Sequence, residues 1–342
     1  MKAARNLWAR ARHQMLLGDV DGFTRDMLTI INSKRHSRMP PLLVGIMTER
    51  ALDMLILSGV TRALARDPDF LSIEQLDAIV ARLDRVGDPS FDPVAALEKA
   101  HGRWSLSHIF AGHEDGRLHR DTHRAIHEMF VAMASMLESI GSDFEGFPGV
   151  PQSPPRRLAT LEQQVKVTEE LNDAFVELAS SPSDGTGPNP IRALIDRVGA
   201  SEDLDRYYIV LNSARTTRSA AGGVHRNKLE HRTLLSAIAI HRYRLVSGDW
   251  PETLAALREP KVAIDPYTNE PFGYSVGEGG PKLWAAGPDR DDDDGRVMND
   301  QSGQNAWFTL TEWAEMRTEL RAAYDGDIVF FPPEPEPDRE DL

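Results

Sequence analysis

Five aspartates crowd the stretch Asp289-Arg290-Asp291-Asp292-Asp293-Asp294-Gly295. A hard cation such as calcium takes about six to eight oxygen ligands, and alternating carboxylates on a turn can supply them. The EF-hand register fails here. With Gly295 at the sixth position, the first ligand position falls on Arg290 and the twelfth on Gln301, where a glutamate is required. By loop position alone, Asp291 and Asp293 are the candidate ligands. The same run also reads as a solvated, self-repelling loop that holds no ion, and both readings stand at this point.

A second constellation is the histidine stripe His119, His123 and His127. Spacing of i, i+4 and i+8 brings all three near one helix face, with His113, Asp115 and Glu128 close in sequence. Two imidazoles and a carboxylate can hold a transition metal and support a metal-dependent hydrolase. Against this, Arg117, Arg120 and Arg124 interleave the stripe and oppose a cation. His113-Glu114 also fails the metalloprotease pattern, because Arg117 stands where the second histidine is needed. The alternative reading is a polar helix face. No phosphate-binding glycine loop, dinucleotide fingerprint or nucleophile elbow occurs in the sequence. The chain reads more readily as a non-enzymatic protein than as an enzyme.

The formal net charge of −14 argues against general nucleic-acid binding, which needs clustered Lys and Arg to displace counterions. With no cysteine, disulfides, thiolate metal sites and cysteine nucleophiles are excluded together. The longest apolar runs, such as Leu234 to Ile240, fall far short of the ~20 residues that span a bilayer. The N-terminal stretch lacks the apolar core of a signal peptide. The expectation is a soluble, cytoplasmic chain without membrane insertion, acting on a protein partner that the sequence does not name.

The elements that must position these residues are mainly helices. Helical spacing covers 3–17, and Asp19 can cap a second helix to about Asn32. Pro40-Pro41 opens a third, which Asp67-Pro68 stops. Ser72-Ile73-Glu74-Gln75 is a capping-box pattern that starts a fourth. Further helices are expected at 92–111, 117–140, 157–179, 190–198, 202–220 and 225–246, with Gly222-Gly223 as a kink or turn. The succession of helix pairs is TPR-like, without a fixed period. After Gly248 strands replace helices: Phe272 to Val276, a hairpin loop, then Lys282 to Ala285, and finally Asp327 to Phe331. Trp307 to Tyr324 reads as a helix between the last two. The tryptophans read as core or interface anchors.

The final third carries four ordered motifs. They are Gly248-Asp249-Trp250-Pro251, Asp265-Pro266-Tyr267-Thr268-Asn269-Glu270-Pro271-Phe272-Gly273-Tyr274, Leu283-Trp284-Ala285-Ala286-Gly287-Pro288-Asp289, and Asp325-Gly326-Asp327-Ile328. In order and spacing they resemble the globular domain of type II secretion major pseudopilins. A nearer likeness is to large bacterial proteins of planctomycete type, in which a helical front half ends in such a module. The membrane-spanning N-terminal helix of a true pseudopilin is missing, and the insert at 307–324 separates the acidic loop from the last strand. The resemblance implies a calcium ion held in the acidic loop, with Asp289, Asp325 and Asp327 as ligands by motif position.

The sequence is thus expected to fold as a mainly α protein: a helical, TPR-like body followed by a small α+β pseudopilin-like module with a short antiparallel sheet. The expected divisions are a helical domain at 1–145, a connector at 146–224 with Pro/Gly-rich linkers, the module at 225–331, and a disordered acidic tail at 332–342. The leading functional expectation is a protein-interaction or scaffold protein with a calcium-stabilised module. A secretion- or pilus-associated component and a hydrolase built on the histidine stripe are the alternatives.

Overall fold

The computed structural model describes residues 2–37, 43–87, 92–139, 151, 153–180, 190–201, 204–257, 264–265, 267–287, 289–298, 324 and 326–333. Among them the chain is mainly helical, with one three-stranded sheet. The helices are α1 (Lys2–Leu17), α2 (Val20–Ser37), α3 (Leu43–Arg66), α4 (Ile73–Val86), α5 (Asp92–Ile109), α6 (Arg120–Ser139), α7 (Leu161–Ser180), α8 (Pro190–Ser201) and α9 (Tyr208–Ser247). The strands are β1 (Gly273–Gly277), β2 (Gly280–Ala285) and β3 (Ile328–Phe331), in the order β1-β2-β3 and antiparallel throughout. The expected helix at 307–324 lies outside the described residues, apart from Tyr324, as does the tail beyond Pro333.

Local chemistry explains several boundaries. Asp19 Oδ1 accepts the Gly22 N–H at 2.9 Å and so opens α2. At α4 the capping box is complete: Ser72 Oγ accepts from the Gln75 N–H at 3.3 Å and Gln75 Oε1 accepts from the Ser72 N–H at 2.9 Å. A cap of this kind contributes about 1 kcal/mol. The same reciprocal pair recurs, unforeseen, between Thr160 and Gln163. It places the start of α7 at Leu161, later than the expected 157. The expected turn at Gly222-Gly223 does not form. α9 runs unbroken through both glycines. Each costs a helix roughly 1 kcal/mol relative to alanine, but unlike proline it keeps its N–H and leaves the hydrogen-bond ladder intact.

The chain forms two compact units that do not follow chain order. One comprises Met1–Pro40, Val44–Pro89 and Gly223–Leu342; the other comprises Pro41–Leu43 and Ser90–Gly222. The N-terminal helices group with the C-terminal module and not with α5 and α6.

In the first unit, the C-terminal part of α9 is the central element. Leu229, Leu234 and Ile238 belong to one apolar core with Phe23, Met27, Ile30 and Ile31 of α2, Leu52, Ile56, Val60 and Leu64 of α3, and Leu76, Ile79 and Leu83 of α4. The same core takes in Leu283 and Ala285 of β2 and Ile328, Phe330 and Phe331 of β3. Between Asn227 and His241, α9 also buries Glu230, His231, Thr233 and Ser236, so it is enclosed on nearly every side. His241 lies edge-on to Trp250 and Phe331, with centroids at 4.9 and 5.3 Å. Burial pushes this imidazole down to about 4, which keeps it neutral. Arg242 and Arg244 tie α9 to Asp77 at 2.8 Å and Asp69 at 2.7 Å.

In the second unit, α5 and α7 are joined by ion pairs of Lys99 with Asp173 and Arg103 with Glu169. Arg197 of α8 reaches Glu170 at 2.6 Å. Gly116 has φ +86°, and a Cβ there would lie 2.2 Å from the Leu158 carbonyl oxygen. Only glycine allows this close backbone approach, which is sealed by the Leu158 N–H bond to the Gly116 carbonyl at 3.0 Å.

Candidate metal site in the C-terminal module

The β1–β2 hairpin aligns Gly273 opposite Trp284. A Cβ on Gly273 would fall 2.0 Å from the indole, so the glycine makes room for the ring. The chain leaves β2 through Gly287 at φ +76° and enters the acidic loop. Arg290, Asp294 and Gly295 all take left-handed backbone angles there, which coils the loop tightly. Asp292 Oδ1 accepts from the Trp284 indole at 2.9 Å and from the Asp294 N–H at 3.0 Å, fixing the loop to the sheet. Lys282 donates to the Gly295 carbonyl.

The loop closes onto the start of β3. Val297 and Asp327 form a parallel bridge, with Asp327 N–H donating to the Arg296 carbonyl at 2.6 Å and Met298 N–H to the Asp327 carbonyl at 2.9 Å. The Asp327 side chain is wholly buried. Its Oδ2 accepts the Gly295 N–H at 2.7 Å and the Asp293 N–H at 3.1 Å. Its Oδ1 is buried with no hydrogen-bond donor among the described residues, and so is Asp293 Oδ2. The other oxygen of Asp293 accepts from Arg296.

The electrostatics show crowding of like charge. Burial pushes Asp289 up to about 7, and the neighbouring Asp293 and Asp327 charges add to it against the Asp291 N–H bond. Burial also raises Asp327 to about 6, with Asp292 and Asp293 reinforcing it while the two amides oppose. Asp265, buried beneath the hairpin, is raised to about 6 by burial. Its oxygens accept the Tyr267 N–H at 2.8 Å and the Ala286 N–H at 3.1 Å.

Of the sequence-derived ligands, Asp289 feels the charges of Asp293 and Asp327, and Asp327 feels that of Asp293. Asp291 is exposed and joins the turn through its backbone N–H, 3.4 Å from Asp289 Oδ1. Asp325 lies outside the described residues. Among the described residues, no group of three or more His, Asp or Glu side chains is arranged to hold a metal ion. Sequence reasoning missed the roles of Asp292, which clamps Trp284, and Asp265, which clamps the strand ends. The Asp265-Pro266 turn signal marked the second without revealing its partners.

Of the histidine stripe, His123 and His127 fall on α6 and serve packing, while His119 precedes the helix. His127 is buried, 2.7 Å from the Pro151 carbonyl through Nε2, and its ring meets Tyr208 edge-on at 5.9 Å. His123 stacks on the same tyrosine at 6.0 Å, and burial, helped by His127, lowers its pKa. His119 stands exposed, 3.9 Å from Asp121. Among the described residues no helix is long and apolar enough to cross a membrane. No family model, no curated protein and no solved structure matches the chain.

Proposed function

We propose that the C-terminal part of the chain is a pseudopilin-like structural module stiffened by calcium, and that the protein acts as a non-enzymatic interaction or scaffold protein. The observation that carries the calcium reading is the pair of buried carboxylate oxygens, Asp327 Oδ1 and Asp293 Oδ2, that have no donor among the described residues. A buried carboxylate without a partner is costly, and a hard cation offsets that cost while relieving the repulsion that adds to the effect of burial on Asp289 and Asp327. Backbone carbonyls and water complete such a shell. The ion would bind the acidic loop to β3 through Asp293 and Asp327, the two side chains with unpartnered buried oxygens, beside the charge of Asp289.

The interaction reading is supported by α5. Trp104 is 59% exposed there, with His108 at 4.1 Å and His101 at 6.0 Å between ring centroids. An exposed tryptophan flanked by polar rings resembles the aromatic anchors that dominate protein interfaces. The secretion-associated alternative rests on the sequence resemblance, and no structural observation favours it over this reading.

Thermal unfolding of the full chain tests the calcium reading through its pH dependence. Asp289 and Asp327 have folded-state values raised to about 7 and about 6. Their contribution is therefore fully present below the unfolded carboxylate pKa near 4 and is lost as pH rises through 6 to 7. In EDTA the module should be less stable at pH 8 than at pH 5. Calcium should restore it at pH 8, at a hundredfold excess over Kd by about 2.7 kcal/mol. At pH 5, where protons compete, it should do little. An equal calcium effect at both pH values, or none at either, would refute the proposed site.

A further inference from the structure

The outward face of α1 differs in charge from the chain as a whole. The protein carries a net charge of −14, yet the 16 residues of α1 include Lys2, Arg5, Arg10 and Arg12 and neither aspartate nor glutamate. One side of the helix turns to the core. Ala4 and Ala11 are buried there, and Leu7, Trp8 and Met15 pack against the same cluster. Spacing sets the opposite side. Lys2, Arg5, Ala9, His13 and Leu16 stand at i, i+3, i+7, i+11 and i+14, which aligns them along one face, and all five are exposed.

This face is basic and ends in bare apolar surface. Lys2 and Arg5 are exposed and make no ion pair among the described residues. Arg10 is bound to Asp26 at 2.6 Å but keeps 56% of its side chain exposed. Arg12 lies 5.9 Å over the Trp8 ring and belongs to the inner side. Leu16 is 50% exposed and Leu17 beside it 69%, two large apolar side chains left in water at the end of the helix. The next carboxylate along the chain, Asp19, is engaged in capping α2.

Cations and leucines on one convex face, with no carboxylate among them, complement a surface that is anionic outside and apolar just beneath. A bilayer containing anionic lipid has that layering. A nucleic acid would meet the cations but leave the leucines in water. A protein partner would be met through aromatic anchors or a groove, and this stripe has neither. The acidic remainder of the chain does not cancel the attraction, because salt confines the reach of an exposed charge to about 8 Å. We propose that α1 lays its outward face on an anionic phospholipid surface, with Lys2, Arg5 and Arg10 at the headgroups and Leu16 and Leu17 entering the upper acyl region. Attachment of this kind needs no spanning helix. All of these residues lie on α1, so the proposal is independent of the calcium reading.

The test is cosedimentation of the full chain, in EDTA, with vesicles of phosphatidylcholine alone or with about 30% phosphatidylserine added. EDTA stops calcium from bridging the acidic loop to the headgroups, so the state of that loop does not enter the result. The chain should pellet with the serine-containing vesicles only, and salt of about 0.5 M should release it. Lys2→Glu with Arg5→Glu should weaken binding by about tenfold or more, and Leu16→Ser with Leu17→Ser by about fivefold or more. Arg120→Glu with Arg124→Glu makes the same change of net charge at exposed positions of α6 and should leave binding in place. Absence of binding to the anionic vesicles overturns the proposal, as does equal weakening by the two charge reversals. So does a polyglutamate peptide that binds the chain more tightly than the vesicles and loses that binding when Lys2 and Arg5 are reversed, since the face would then be reading the carboxylates of a protein.

Discussion

Replacing Lys34 with alanine should cost about 3–5 kcal/mol of folding stability, the largest effect expected of any single substitution outside the apolar core. Lys34 is completely buried, yet its ammonium donates to Asp53 and lies 3.6 Å from Glu49 Oε1. Those carboxylates are a turn apart on α3 and are themselves buried. Glu230 of α9 enters the same field, paired with Arg226 at 2.9 Å. Burial drives Asp53 up to about 7. Lys34 pulls it down, while Glu49 and Glu230 push it further up. Burial likewise raises Glu230, against the pull of Arg226, Arg50 and Lys34.

Removing Lys34 leaves carboxylates in the core with less opposing charge, and they can be accommodated only by taking up protons. Equilibrium unfolding in urea should therefore show the Lys34→Ala deficit shrinking as pH falls from 8 to 5. The double variant Lys34→Met, Asp53→Leu should recover more than half of the loss, because apolar replacement removes both members of the buried pair. A deficit below about 1 kcal/mol for Lys34→Ala would mean that the network is hydrated and contributes little.

The second large effect is expected at Gly326. Its φ of +137° lies in a region open essentially to glycine alone, and a Cβ would sit 2.8 Å from both the Arg296 carbonyl oxygen and the Met298 nitrogen. These obstacles are backbone atoms, so no side chain can swing aside. Gly326→Ala should cost about 3 kcal/mol or more through strain and overpacking together. The damage falls on the Val297–Asp327 bridge, and so on the link between the acidic loop and β3. Gly279→Ala is the matching control. It is a hairpin glycine with nothing within 4 Å of its would-be Cβ, and it should change stability little. Unfolding of the two variants in parallel checks the contrast, and equal losses would contradict it.

What could be read from the sequence was what depends on neighbours in the chain. The Ser72–Gln75 capping box spans three residues and carries its own geometry, so its pattern sufficed. The strands around Trp284 and Phe331 were legible because turn residues bracket them. The same kind of pattern at Thr160 and Gln163 sets the start of α7, where helical spacing alone points to 157. Gly222-Gly223 was read as punctuation, although two glycines inside a long helical run cost helix stability without breaking the ladder. The Lys34–Asp53–Glu230 cluster was invisible for another reason. Its members are far apart in sequence, and each looks like an ordinary surface charge until α2, α3 and α9 pack together.

The acidic loop falls between these cases. Its composition announced carboxylate chemistry, and the motif positions of Asp289 and Asp327 pointed to the two residues with the most strongly shifted environments in the loop. Nothing in the run of aspartates distinguishes Asp292, which accepts from Trp284, or Asp291, which faces outward. Those outcomes depend on the left-handed turns at Arg290, Asp294 and Gly295, which decide where successive side chains point.

Calorimetric titration of the EDTA-stripped full chain with calcium at pH 7.5, repeated on Asp327→Asn, reads ion binding at the acidic loop itself. The asparagine keeps an oxygen to accept the Gly295 and Asp293 amides but removes the charge that would hold the ion. Saturable binding of one calcium per chain is expected, weakened at least tenfold in Asp327→Asn while its circular dichroism is unchanged. No binding at millimolar calcium, or binding of equal strength in the variant, would contradict it.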